Sequence, residues 1–221
     1  MTAAGDAALV VTLSPRLDVE TSTRVIAMAD TARRRLGTLL RDLVVGYHTL
    51  TVYFDPLSVD SAWLEGELAT IAGDPTTLPE ASGATIEVPV CYGGDLGPDL
   101  ASVASLAGCT EAEVIELHCS REYRVFMVGF VPGFAYMGPV EPRLSLPRRA
   151  NPRTRVPAGS VALAAGQTGI YPMETPGGWH LIGRTPVKPF DERRVEPVLF
   201  RPGDRVRFTP MSREDFDGSG G

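Results

Sequence analysis

The fold of this chain is decided by the stretch Val156-Pro-Ala-Gly-Ser-Val-Ala-Leu-Ala-Ala-Gly-Gln-Thr-Gly-Ile-Tyr171, in which short apolar runs alternate with glycine. Residues 130–203 contain twelve of the nineteen prolines of the chain. Proline removes a backbone donor, so we expect no helix longer than two turns there. Many short strands punctuated by glycine and proline predict a β-barrel or a β-sandwich. The predicted strands are Ser160–Ala164, Gly169–Tyr171, Trp179–Gly183, Val198–Phe200 and Arg205–Phe208.

The segments leading into this region add two strands and a short helix. Thr85–Val90 and Tyr123–Phe130 are rich in branched and aromatic residues and are predicted to be strands. Between them, Thr110-x-x-Glu113 forms a capping box that opens a helix running through Leu117.

The first half of the chain has a different pattern, whose β-α-β-β-α order predicts a small α+β sandwich. The predicted strands are Ala7–Leu13, Leu43–Gly46 and Thr49–Phe54. Asp18 is the expected N-cap of the first helix, whose apolar residues are Val25, Ile26, Ala29, Ala32, Leu36, Leu39 and Leu40. The inward face of the predicted second helix is marked by four apolar residues, namely Trp63, Leu64, Leu68 and Ile71.

The predicted fold class is therefore α+β, with a small N-terminal α/β sandwich domain and a C-terminal domain that is a β-barrel or a β-sandwich. The change of pattern near Ser82–Gly83 places the boundary, giving domains at residues 1–82 and 83–216. The tail at residues 217–221 is expected to be unstructured.

Composition excludes several classes of function. A formal net charge of −6 argues against non-specific nucleic-acid binding, which requires a basic face. No apolar run is long enough to span a bilayer, and no secretory signal is expected. The three cysteines have no C-x-x-C spacing, which is typical of reduced cysteines in a cytoplasmic protein. The only lysine is Lys188, so a P-loop is impossible, and three scattered histidines predict no metal site.

An aromatic turn is the first candidate for chemistry. Phe130, Phe134 and Tyr136 surround the turn at Pro132-Gly133. Aromatic side chains of this kind suit the wall of a concave site. They equally suit a tight turn folded into the core, and the residues alone favour that alternative.

A basic loop and the polar residues that follow it are the second candidate. Four arginines lie between Pro147 and Arg155, and their guanidinium groups match carboxylate or phosphate oxygens. A solvated loop, or pairing with the carboxylates of a partner, would also explain them. We predict an anion-binding pocket on the barrel, and its expected residues are Arg149, Arg153, Gln167, Tyr171 and Arg184.

His118 is the remaining candidate, as a general acid or base. It ends the predicted short helix next to the strand that leads to the aromatic turn. A histidine near a helix C-terminus is also stabilised there when charged, which is an alternative explanation.

Long motifs in the second half resemble the family of 5-oxoprolinase B subunits, also named allophanate hydrolase subunit 1 or the KipI-like inhibitors of a sporulation histidine kinase. The motifs include Val90-Cys-Tyr-Gly-Gly94, Gly97-Pro-Asp-Leu100, Gly129-Phe-Val-Pro-Gly-Phe-Ala-Tyr136, Gln167-Thr-Gly-Ile-Tyr-Pro172 and Ile182-Gly-Arg-Thr-Pro186. The resemblance implies that the barrel is cyclophilin-like. It also implies two partners: a C-subunit homologue, which is allophanate hydrolase subunit 2 or carboxyltransferase-like, and an A-subunit homologue.

The resemblance further implies that the assembled subunits open 5-oxoproline to glutamate with ATP, by phosphorylating the lactam oxygen. Arginines that stabilise phosphoryl charge fit this chemistry, so Arg184 joins His118 as an expected catalytic residue. ATP is expected to bind with or through a partner, and no metal is expected. Two alternatives stay open: a regulatory inhibitor of a sensor histidine kinase, and half of a urea-carboxylase-like carboxyltransferase. Apolar turns at Val131–Met137 and Ile170–Met173 suggest an obligate heteromer.

Overall fold

The computed structural model describes residues 1–14, 18–74 and 83–220. The chain divides into two compact units, Met1–Ser82 and Gly83–Gly221. Ser82, on one side of the predicted domain boundary, lies outside the described residues, as does Gly221 at the end of the predicted tail. The predicted α+β class is confirmed, because the first unit layers helices on a sheet and the second contains a closed barrel.

The first unit is an antiparallel sheet of four strands in the order β1-β2-β4-β3, packed against two helices. Its strands are β1 (Thr2–Ala3), β2 (Ala8–Thr12), β3 (Leu40–Val45) and β4 (Thr49–Phe54), and its helices are α1 (Val19–Leu36) and α2 (Ser61–Gly73). Alternate residues of β4, such as Leu50 and Val52, face Val25 of α1 and Leu64 of α2 in one buried core. The predicted β-α-β-β-α order is present, preceded by the short β1.

Helix boundaries in this unit follow local hydrogen bonding. The Asp18 carboxylate accepts from the Thr21 backbone N–H at 2.7 Å, as expected of an N-cap. Helix α1 ends at Leu36, because Gly37 turns the chain at a φ of 44°. The prediction that the α-helix continues through Leu39 and Leu40 is therefore wrong, because Gly37–Leu39 form a short 3-10 helix and Leu40 begins β3. Trp63, predicted to face inward on α2, is 45% exposed.

The second unit is a closed barrel of seven strands in the order β10-β7-β6-β13-β5-β12-β9, in which only the β5–β13 pair is parallel. The barrel strands are β5 (Thr85–Tyr92), β6 (Glu122–Val128), β7 (Ala135–Gly138), β9 (Ser160–Ala164), β10 (Gln167–Ile170), β12 (His180–Arg184) and β13 (Arg205–Pro210). Two further strands, β8 (Arg153–Val156) and β11 (Thr175–Gly177), form a separate ribbon. The helices are α3 (Leu100–Ala107), α4 (Glu111–Cys119) and α5 (Arg213–Gly218).

Strand β9 shows how the barrel is layered. Val161 and Leu163 join the main hydrophobic core, whereas Ala162 and Ala164 join a second cluster with Tyr171 and other aromatic residues. Successive side chains of a strand point to opposite faces. The alternation therefore sends the large residues to one face and leaves room for aromatic rings on the other.

Turn composition predicted the barrel strands better than the helices. The capping box of Thr110 and Glu113 is present at the start of α4. Helix α3 and the strands β7, β8 and β11 were not predicted. The predicted strand Val198–Phe200 is reduced to one isolated bridge, between Phe190 and Val198.

The end of the chain also differs from the prediction, since residue 217 lies within α5 rather than in an unstructured tail. Ser212 caps this helix, Arg213 pairs with Asp217, and Phe216 is 2% exposed. The buried Phe216 ring packs α5 against Cys91 of β5, and the i,i+4 ion pair supports the short helix itself. Among residues 1–14, 18–74 and 83–220, no helix has the length and apolar character needed to cross a bilayer.

Gly97 permits a close approach of two backbones. A Cβ at this position would overlap the carbonyl group of Ile182 in β12. We expect Gly97→Ala to lower the free energy of unfolding by about 1–3 kcal/mol, the usual effect of overpacking. The measurement is urea denaturation followed by circular dichroism.

Gly66 provides the matched control, because a Cβ there meets nothing within 4 Å and lies within α2. Gly66→Ala should raise the free energy of unfolding by about 0.5–1 kcal/mol, since alanine loses less entropy in a helix. Equal effects of the two substitutions would contradict the close approach.

Candidate functional site

A buried carboxylate, Asp99, organises the candidate site. Asp99 is the residue before α3, but its side chain makes no capping hydrogen bond. Its Oδ2 accepts instead from the backbone N–H of Leu181 at 2.8 Å, and its own N–H donates to the Leu181 carbonyl at 2.9 Å. The start of α3 is thereby fixed to β12.

Two arginines of the basic loop share this carboxylate. Arg153 donates to both oxygens of Asp99, at 2.7 and 2.8 Å, and Arg149 donates to Oδ1 at 2.7 Å. The side chain of Asp99 is 6% exposed, whereas those of Arg149 and Arg153 are 30% and 25% exposed. Two guanidinium groups and one carboxylate leave this half-buried cluster with a net charge of +1.

The pKa of Asp99 follows from these contacts. Burial raises the pKa, but the hydrogen bonds from Arg153 and the Leu181 N–H, with the charges of both arginines, outweigh burial and lower it. Asp99 is therefore ionised at neutral pH and the charge of the cluster is stable there.

Aromatic rings gather around Phe134 on the outer face of the barrel. Its ring centroid lies 4.8 Å from that of Tyr136, 5.2 Å from Tyr171 and 5.5 Å from Trp179. Phe130 contacts it from the surface at 5.7 Å, with 61% of the residue exposed. Phe130 has a φ of 73°, an unusual conformation for a bulky residue. The three predicted wall residues therefore come together.

The arginine and aromatic groups adjoin one another. Burial raises the pKa of Tyr171, and the positive charges of Arg148 and Arg153 act in the opposite direction. In the β8–β11 ribbon, Gly177 pairs with Arg153 and lies so close to the Tyr171 ring that a Cβ would overlap it. We call this region the arginine–aromatic site, formed by Asp99, Arg149, Arg153, Phe134, Tyr136, Tyr171 and Trp179.

The other predicted pocket residues are placed elsewhere. Gln167 pairs with Ala164 at one end of β9, and Arg184 pairs with Ser160 at the other, roughly 13 Å away at the usual rise of a strand. Arg184 donates to the carbonyl of Ala158 and lies 6.0 Å from the Phe216 ring centroid. The structure therefore does not bring Gln167 and Arg184 together, and a single pocket containing both, like a catalytic role for Arg184, stays a prediction.

His118 lies in the interior of the second unit. It is 0% exposed and stacks on Phe208 at 4.5 Å. Its Nδ1 is 2.7 Å from the Tyr92 hydroxyl and its Nε2 is 2.9 Å from the Thr168 hydroxyl. Burial lowers the pKa of His118 to about 3, so the ring is neutral. Both ring nitrogens have protein partners and the residue is 0% exposed, which gives no support for proton exchange with a substrate. A role for His118 as a general acid or base stays a prediction.

The apolar turns fold inward rather than forming exposed patches. Phe134 and Ile170 are 2% and 0% exposed. These turns therefore form no exposed apolar patch that a partner would have to cover, and they give no support to the predicted heteromer. In the described residues, no group of three histidine, cysteine or carboxylate side chains could hold a metal ion.

The motifs that surround this site belong to a known family. The family model described as carboxyltransferase domain, subdomain C and D, matches residues 1–200. The chain belongs to this family. The resemblance predicted from the motifs is confirmed by relatives named as the B subunit of 5-oxoprolinase. The relative from Escherichia coli O157:H7 is 42% identical over 94% of both chains, and the relative from Bacillus subtilis is 36% identical over 96% of this chain and 92% of its own.

Solved structures share the fold. The crystal structure of TTHA0988 has a TM-score of 0.82 at 38% identity, covering 93% of this chain, which spans only 40% of that longer protein. The uncharacterized protein PH0987 from Pyrococcus horikoshii has a TM-score of 0.59 at 40% identity, covering 96% of this chain and 98% of its own. The urea amidolyase of K. lactis, at 19% identity and a TM-score of 0.78, shares the fold over 98% of this chain and 15% of its own.

Sequence reasoning missed Asp99. The Gly97-Pro-Asp-Leu100 motif contains it, but an aspartate before a helix is usually a capping residue. The available signal was the excess of arginine in a half-apolar region, because buried guanidinium groups require a carboxylate partner.

Burial of neutral His118 predicts a pH-dependent stability. The folded pKa is about 3 and the ordinary value is 6.5, so below pH 6.5 the unfolded state binds the extra proton and folding weakens. From about pH 7.5 to about pH 5, the wild type should lose about 2 kcal/mol more of its free energy of unfolding than His118→Gln. Denaturant unfolding at both pH values measures this, and an equal loss in the two proteins would contradict a neutral buried histidine.

Proposed function

We propose that this chain is the B subunit of an ATP-dependent 5-oxoprolinase that opens 5-oxoproline to glutamate in the cytoplasm. The carrying observation is the 42% identity to a protein named as the B subunit of 5-oxoprolinase, over 94% of both chains. Because the match covers both units of the chain, it supports the same overall role rather than a shared domain alone.

The arginine–aromatic site is the proposed binding site for the anionic substrate. Arg149 and Arg153 offer guanidinium groups on side chains that are 30% and 25% exposed, and the partly exposed Tyr136 offers an aromatic face for a small ring. Tyr171 packs within the aromatic cluster and is 2% exposed, and it stays an expected contributor. Charge-assisted hydrogen bonds of this type orient a small anion. Gln167, although buried on β10 and placed outside the arginine–aromatic site, stays an expected contributor to substrate binding.

The proposed chemistry divides between the polypeptides of the complex. Transfer of the γ-phosphoryl group of ATP to the lactam oxygen releases ADP and makes the ring carbon electrophilic. Water then adds to that carbon, and the ring C–N bond breaks as the amine takes a proton, which leaves an acyl phosphate. A second water hydrolyses this acyl phosphate to the free carboxylate and inorganic phosphate. With Lys188 as the only lysine there is no P-loop in this chain, so we propose that ATP binds with or through a partner, the C-subunit or A-subunit homologue.

The carboxyltransferase alternative has weaker support. The putative urea carboxylase of Emericella nidulans is 27% identical over 57% of this chain, and the urea amidolyase of Saccharomyces cerevisiae is 32% identical over 52%. Both matches are shorter and less similar than those to the 5-oxoprolinase B subunits. No structural observation favours the kinase-inhibitor alternative.

The division between polypeptides can be tested by reconstitution. The chain alone should show no ATP hydrolysis that depends on 5-oxoproline, whereas the complex with its co-expressed partners should show it, together with glutamate formation. Robust turnover by the isolated chain would contradict the divided mechanism. A complex that is inactive with 5-oxoproline would contradict the proposed reaction.

Arg153→Ala should lower kcat/KM of the complex for 5-oxoproline by about 10- to 100-fold, the usual effect of losing a charge-assisted contact. Arg155→Ala is the matched control on the same strand. Arg155 is 76% exposed and pairs with the half-exposed Glu174, so its loss should leave activity near that of the wild type. Similar losses in both variants would exclude a specific role for Arg153.

A further inference from the structure

We propose that Asp99 is the specificity-determining residue of the arginine–aromatic site, tuning it to a single carboxylate group rather than a phosphate or another dianion. This inference rests on the proposed function, since it names the group of the substrate that the site recognises. It assigns the two arginines to the substrate carboxylate, and so places the transferred phosphoryl group outside their reach.

Charge balance is the first argument. Arg149 and Arg153 share one buried carboxylate, so the cluster carries +1 before any ligand binds. One carboxylate brings the total to zero. Arg148 also acts on Tyr171, but it is exposed and solvent screens its charge. A dianion would therefore leave an excess negative charge on the half-buried cluster itself, where charges are expensive.

Placement of the carboxylate is the second argument. Asp99 is bound by the same two guanidinium groups that an incoming anion would contact. A ligand on those groups therefore lies close to a permanent negative charge. Like charges at such short range in a partly buried site should weaken dianion binding by about tenfold or more relative to a monoanion.

Unused hydrogen-bonding capacity is the third argument. Nη1 of Arg149 donates to Asp99, while its Nε is buried and has no partner among the described residues. Buried donors are normally paired. Asp99 therefore does not satisfy every donor of this guanidinium group, which keeps hydrogen-bonding capacity beyond its contact with the carboxylate.

Positioning by the backbone is the fourth argument. Asp99 is held by the Leu181 N–H as well as by the arginines, and its own N–H is bonded to Leu181. The carboxylate therefore has one orientation, and its two-oxygen contact with Arg153 fixes the guanidinium plane. A preorganised plane lowers the entropic cost of binding a planar carboxylate.

The test is a competition experiment on the assembled complex. Equilibrium dialysis measures bound, labelled 5-oxoproline while sodium acetate or sodium sulfate is added at matched ionic strength. In the wild type, acetate should displace 5-oxoproline, and sulfate should require a concentration about tenfold higher or more. Two results with the wild-type complex alone would overturn the proposal: sulfate that competes as well as acetate, or failure of both anions to compete.

Asp99→Asn supplies the second arm, because it raises the charge of the cluster to +2 with almost no change in shape. Binding of sulfate should strengthen more than binding of acetate, so the preference for acetate over sulfate should disappear or reverse. A merely structural role would weaken both anions together and leave their ratio unchanged, which would overturn the proposal. The melting temperature of the variant establishes that it is folded.

Glu174→Gln is the matched control, since it removes the carboxylate that accepts two hydrogen bonds from Arg155 on the exposed side of the ribbon. Its acetate-to-sulfate ratio should equal that of the wild type, and a shift as large as that of Asp99→Asn would overturn the assignment to Asp99.

The outcomes also separate the two proposals. Absence of both 5-oxoproline binding and turnover defeats the proposed function, whereas normal turnover with equal competition by sulfate defeats this inference alone.

Discussion

The arrangement of the second unit around its candidate site depends on the buried carboxylate of Asp99. This group accepts hydrogen bonds from Arg149, Arg153 and the Leu181 N–H, which belong to a loop, a ribbon strand and a barrel strand. Removing one partner of a buried, hydrogen-bonded ion pair usually destabilises a protein by about 3–5 kcal/mol. The carboxylate is therefore a constraint that brings three separate segments to one place.

Small residues make that constraint geometrically possible. Gly97 lets the chain before α3 lie against the Ile182 carbonyl, which brings Asp99 to β12. Ala162 and Ala164 leave space on the outer face of β9, and the aromatic cluster fills it. Close backbone approach before α3 and aromatic packing on β9 thus both depend on small residues, and together they place an aromatic wall beside a positive charge.

Sequence reasoning predicted what depends on local pattern. The order of elements in the first unit, the Asp18 and Thr110 caps and most barrel strands follow from periodicity and turn composition. The wall residues Phe130, Phe134 and Tyr136 are close in sequence and were grouped correctly. Those features require only neighbouring residues to be known.

Sequence reasoning did not predict contacts between distant residues. Arg184 and Gln167 follow Arg153 in sequence, but strand pairing places them at opposite ends of β9. His118 ends a helix, as expected, yet the barrel closes around it and removes it from solvent. Asp99 is separated by about fifty positions from the arginines that it binds. Pairing over such separations is set by barrel closure, which a single sequence does not reveal.

The most direct test of the account is a double-mutant cycle between Asp99→Asn and Arg153→Ala, read as the free energy of unfolding. Arg153→Ala leaves the buried Asp99 carboxylate without its two-oxygen partner, and Asp99→Asn leaves two partly buried guanidinium groups without a carboxylate. The double variant removes both members of the Asp99–Arg153 pair. The account predicts that the two effects are not additive, with a coupling energy of about 1.5–3 kcal/mol. Additivity within about 0.5 kcal/mol would contradict the central role of this carboxylate.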